Sequence, residues 1–159
     1  MESIYKQFFD GLLEAEKHWR NADHLVYVTY PVVNDLKLLL RALEEVHQSV
    51  VGAISEILKF EYLYKRIVLS KNPKENLGVF FSKCSGSYSL DVERETLKEI
   101  LFLGKKHKES GVEFSRQGKM MILGDDLKMQ EVSLEKLKVF LKSSRILLDK
   151  TNEKFKGIF

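Results

Sequence analysis

The sequence predicts a mainly α-helical fold: an antiparallel bundle of four main helices plus a short one, with a small β-hairpin or meander inserted before the last helix. Three features carry that expectation. Apolar residues recur at alternating spacings of three and four over two long stretches, the signature of amphipathic helices. The chain has only two prolines and nine glycines, too few for the many tight turns of a sandwich or barrel. Only residues 112–132 change to an alternating pattern. With 159 residues, 44% of them apolar, the chain is expected to form a single domain, 1–159, that buries a core without metals or disulfides.

The first helix places Tyr5, Phe8, Leu12, Ala15, Trp19, Ala22 and Val26 on one face and Lys6, Asp10, Glu14, Lys17 and Asn21 on the other. Ser3 is its expected N-cap. Pro31 is its expected stop, because proline lacks an amide hydrogen and disfavours helical geometry in the residue before it. The second helix is expected to run from Asp35 to about Leu69, roughly 50 Å at 1.5 Å per residue. Its stripe is Leu39, Leu43, Val46, Val50, Ala53, Ile57, Phe60 and Tyr64. Leu36, Leu40, Val51, Ile54 and Leu58 broaden it enough to meet two neighbours. Gly52 falls on the polar side of that helix.

Asn72-Pro73-Lys74-Glu75 reads as a helix start, with Asn72 capping and Pro73 in the first turn. That helix is short, because Ser82 to Ser89 is rich in serine and glycine. A fourth helix is expected from about Leu90 to Lys106, carrying Leu97, Ile100, Leu101 and Gly104 inward. Lys105 to Lys108 then complement the negative end of its dipole. Next come the β-segment with turns at Gln117-Gly118 and Gly124-Asp125-Asp126, and a last helix opened by Ser133.

Composition also limits function. The chain has a net charge of +3 with 31% charged residues, far from the one-sided charge of a disordered tail. Residues 1–70 hold 8 basic against 10 acidic side chains, a net of −2; residues 71–159 hold 18 against 13, a net of +5. Such a modest basic excess fits an ordinary solvated surface better than a dense nucleic-acid stripe. No uncharged run is long enough for a signal peptide or a membrane span. Together with the lone Cys84, this leads to the expectation of a cytoplasmic protein without a membrane partner.

Chemistry-bearing motifs are sparse. Glu44 and His47 have the spacing of one Glu-x-x-His ligand pair, but the last helix supplies no histidine for a di-metal bundle site. Neither a phosphate-binding glycine loop nor a nucleophile elbow occurs, so no metal and no cofactor are expected. The mixed run Phe60-Glu61-Tyr62-Leu63-Tyr64-Lys65-Arg66 can serve the core through Phe60 and Tyr64. It leaves Tyr62, Lys65 and Arg66 for a ligand.

The segment Ala15 to Phe60, in which a helix bearing Ala22-Asp23-His24 precedes a long one bearing Leu43, Val46, Val50 and Ala53, resembles the HEPN superfamily of small helical-bundle proteins. The resemblance implies RNA as a target, frequent dimerisation and, in some members, metal-independent ribonuclease activity built on an arginine and a histidine with four to six residues between them. Arg41 and His47, with five residues between them, meet that spacing. On a regular helix the two side chains lie about 120° apart.

Two functions follow as expectations. The first is a non-catalytic helical interaction or scaffold module that self-associates or takes a helical protein partner, with Tyr62, Lys65, Arg66 and Leu69 at the binding face. The alternative is a HEPN-like RNA-binding protein or ribonuclease that uses Arg41 and His47.

Overall fold

The computed structural model describes residues 2–157, and its architecture matches the expected class: main helices packed in a bundle, with a three-stranded antiparallel meander before the last one. Helix α1 spans Glu2–His24, α3 Lys37–Leu63, α5 Arg94–Glu109 and α6 Leu134–Lys156. The shorter α2, Tyr30–Val33, and α4, Pro73–Val79, lie between them. None of the described helices is long and apolar enough to cross a membrane.

Pro31 does not stop the first helix. Leu25–Thr29 form a π-helical turn in which the Tyr30 amide donates to the Leu25 carbonyl, and α2 continues through Pro31 to Val33. A π turn widens the helix where the proline ring would otherwise crowd a carbonyl one turn back. The chain turns instead at Asn34, whose φ of 57° lies in the left-handed region that asparagine tolerates. At the other terminus the helix already runs from Glu2, so Ser3 lies within its first turn and not ahead of it.

Helix α3 is the central element. It packs on α1, α5 and α6, and also touches strands of the meander. Leu39, Leu43, Val46, Val50, Ala53, Ile57 and Phe60 of the expected stripe are all buried. Tyr64 is not: it is 37% exposed, because α3 ends at Leu63 and not near Leu69. With 27 residues the helix is about 40 Å long and not the roughly 50 Å expected. Gly52 faces α1, not solvent, and a Cβ there would sit 3.4 Å from that of Ala15.

At one end of the bundle Phe60 stacks on Phe155 at 4.4 Å and meets the edge of Phe8 at 5.5 Å, tying α3 to α6 and α1. Trp19 on α1 donates to the Leu141 carbonyl of α6 at 2.9 Å. Two caps behave as expected: Asn72 accepts from the Lys74 amide and Ser133 from the Lys136 amide. Helix α5 starts at Arg94, four residues later than expected, because residues 85–93 form turns. Strands β1 Val112–Arg116 and β2 Lys119–Leu123 meet at Gln117-Gly118, both with positive φ, the signature of a two-residue hairpin turn. Strand β3, Met129–Val132, adds antiparallel to β2. Met120, Ile122 and Val132 join the main core, which seats the meander on the bundle.

Candidate functional site

The end of α3 builds a groove because the chain reverses there. Lys65 adopts a φ of 58°, and the Arg66 amide reaches back to the Glu61 carbonyl at 3.0 Å, closing the helix. Ile67 then drops into the core at 7% exposure, while Val68 is left 80% exposed. The returning segment runs beside the last turns of α3 and the start of α1. Between them is a cavity of about 620 Å³ lined by Phe8, Tyr62, Leu63, Lys65, Val68 and Leu69, among others. Tyr62 and Leu63 are 56% and 44% exposed. The fold thus brings Tyr62, Lys65 and Leu69 together on one largely apolar surface.

Glu56 also lines this groove. The residue is buried, and its nearest cation is Lys59, with Nζ 3.5 Å from Oε1. Burial holds its carboxyl above the usual carboxylate range, with Lys59 opposing the shift. The carboxylate occupies the space left by the missing side chain of Gly11, where a Cβ would fall 2.2 Å from Oε1.

Arg66 points elsewhere. Its Nε donates to Glu61 Oε2, and the buried Tyr88 hydroxyl donates to Glu61 Oε1 at 2.9 Å. Glu61 is 4% exposed, so the guanidinium and the phenol compensate a carboxylate that would otherwise be costly to bury. Arg66 is therefore not a free ligand-binding cation but half of an internal lock, a correction to the expectation from sequence. Beside this lock a second cavity, of about 300 Å³, includes Cys84, Lys83 and Lys154. Burial and the nearby Glu61 push the Cys84 thiol up to about 11, which keeps it protonated and a poor nucleophile.

Arg41 and His47 both lie on α3 but are not brought together. Arg41 is exposed, whereas His47 is half-buried with its ring over Gly104 of α5; a Cβ on Gly104 would fall 2.1 Å from His47 Cδ2. Burial, together with the charges of Lys108 and His107, holds His47 below the usual imidazole range. A neutral imidazole can accept a proton, but among the described residues no hydrogen-bond partner is positioned against it.

Glu44 does not pair with His47. It accepts from His107 Nε2 at 2.7 Å, while Glu113 accepts from Nδ1 at 2.5 Å. Burial opposes charge on His107, but the hydrogen bonds and charges of the two carboxylates outweigh it and hold the ring above its usual range. The resulting clamp joins α3, α5 and β1. Its carboxylates sit on opposite ring nitrogens and cannot converge on one ion. Among the described residues no group of three His, Cys, Asp or Glu side chains could hold a metal.

Sequence reasoning missed the Glu61–Arg66–Tyr88 lock and the His107 clamp. The only signal for the lock was an acid inside an otherwise apolar stretch of helix, and nothing local pointed to Tyr88, 27 residues away. No family model, curated protein or solved structure matches this chain.

Proposed function

We propose that this chain is a non-catalytic helical interaction module that self-associates through the groove at the junction of α1 and the end of α3. One observation carries the reading: Tyr62, Leu63 and Val68 are exposed around a single apolar depression of about 620 Å³. Exposed apolar surface gathered in one place, with a polar rim, is the usual composition of an association site. Lys65 supplies the rim, and Tyr62 offers a large anchor of the kind that dominates interface energetics. In a two-fold assembly this face would meet its own copy.

Sedimentation velocity over a wide concentration range tests the proposal. Wild-type protein is expected to shift from monomer to dimer, and Tyr62→Glu and Val68→Glu to weaken the dimer at least about tenfold. Wild-type protein that stays monomeric up to about 1 mM, or dimers indifferent to both substitutions, would overturn it.

RNA binding with HEPN-like cleavage is the second reading. It is favoured by a neutral His47 beside Lys108 and an exposed Arg41 on the same helix. It predicts RNA affinity that falls steeply between about 50 and 200 mM salt, and cleavage lost in His47→Ala. Absence of binding at the lower salt would eliminate this reading.

A further inference from the structure

A different groove runs along the opposite flank of α3, where α4 and α5 approach it without closing. It has a volume of about 540 Å³, within the range of small-molecule sites. Its floor is apolar: Val51, Ile54 and Leu58 from α3, Leu77 from α4 and Leu101 from α5. Val51, placed in the core stripe by its spacing, is in fact 41% exposed here. The far end is bounded by Pro73 and Asn76, and the near end by His47, Lys105, Lys108 and Glu109.

One cation at that near end has no acidic partner among the described residues. Glu44 and Glu45, which sit beside His47, are already engaged, Glu44 with His107 and Glu45 with His18 at 2.6 Å. Glu109 lies 4.0 Å from Lys105. Lys108 forms no ion pair among the described residues. Lys108 lies close enough to His47 that its charge adds to burial in holding that ring below the usual imidazole range. An apolar trough thus opens toward an ammonium group that forms no ion pair among the described residues.

We propose that this groove binds a single-chain amphiphilic carboxylate, with its alkyl chain along Val51, Ile54, Leu58, Leu77 and Leu101 and its head group at Lys108 and Lys105. The two parts of the ligand answer two separate features of the site. Burial of methylene groups against the floor supplies affinity at roughly 0.8 kcal/mol each. The ammonium selects an anion over a neutral or cationic head, because a charge-assisted hydrogen bond is stronger than a neutral one. The ligand lies over α3, α4 and α5, away from the self-association groove, so this site stands or falls independently of that reading.

The probe is decanoate, with decanol and decyltrimethylammonium as head-group controls, followed by NMR on the full chain. Decanoate should bind saturably below its micelle-forming concentration, shifting Val51, Leu101 and Lys108 while leaving Tyr62 and Val68 unmoved. It should bind about tenfold more tightly than decanol. A carboxylate beside His47 should also raise that ring's titration midpoint, which a neutral ligand would leave in place. Lys108→Gln should remove the preference for decanoate without changing decanol binding, and Val51→Glu should weaken both. Both positions are exposed, which makes these substitutions compatible with folding. Equal or tighter binding of decanol, perturbations centred on Tyr62 and Val68, or no saturable binding would each overturn the proposal.

Discussion

Phe60, close to one end of α3, is held by rings: it stacks on Phe155 and meets Phe8, and none of it is exposed. Toward the other end, Glu44, Glu45 and His47 meet a histidine, another histidine and a glycine. One helix is thus fixed to its neighbours by dispersion and apolar burial in one region and by directional polar contacts in another. The first kind of contact is strong and insensitive to pH. The second costs less to break but responds to pH through His47 and His107, which are shifted in opposite directions. Each of the proposed binding grooves abuts one of these regions, so the two can be perturbed separately.

The largest effect is expected where the rings meet. Phe60→Ala should destabilise the fold by about 3–5 kcal/mol, since the cavity would open between three helices that cannot all collapse into it. Urea unfolding would measure this, and a loss under about 1 kcal/mol would show that the aromatic cluster is not the anchor described. The loss should be the same at pH 6 and pH 8, because no titrating side chain replaces the ring.

That aromatic end was legible in the sequence as far as periodicity reaches. Seven apolar positions of the α3 stripe, from Leu39 to Phe60, are buried as their spacing predicts, because a helix fixes which residues share a face. The end of the helix was not legible. Residues 65–69 contain neither glycine nor proline, and the left-handed turn falls on Lys65, a residue type with no preference for it. Tertiary contacts decide that reversal: Ile67 is drawn into the core and Arg66 back to Glu61. The groove around Tyr62, Lys65 and Leu69 was therefore foreseeable as residues but not as a shape. Pro31 failed as a stop for a similar reason, since a π turn absorbed it. The polar locks were invisible because His107 must find Glu44 63 positions away, and no local pattern records such a pairing.

Gly104→Ala tests the polar region next. The new methyl would lie 2.1 Å from His47 Cδ2 and 2.8 Å from its Cβ, so rotating the ring alone cannot relieve it and α3 and α5 must move apart. A cost of about 2 kcal/mol is expected. His47→Ala in the same background should recover part of it, because the ring contacts disappear while the Cβ at 2.8 Å remains. Failure of that rescue would place the strain elsewhere on α5.

The smallest effect is the most specific, because two neighbouring histidines should act in opposite senses. His107 titrates above the usual imidazole value of 6.5. Above that pH the folded state keeps a proton that the unfolded chain has lost. Its contribution is therefore complete below 6.5 and is lost as pH rises through the elevated folded value. His47 titrates below 6.5. There the unfolded chain takes up a proton that the folded state refuses, so its contribution is complete above 6.5 and fades as pH falls. Wild-type stability should accordingly decline on both sides of a region near 6.5. His107→Gln should flatten the alkaline side, and His47→Gln the side below 6.5. Glu44→Gln and Glu113→Gln each remove one negative charge from the clamp and should reproduce part of the first effect while leaving the second intact. If His107→Gln instead flattened the acidic side, the ring would be neutral in the folded protein, and the two carboxylates would not be holding a charge between them.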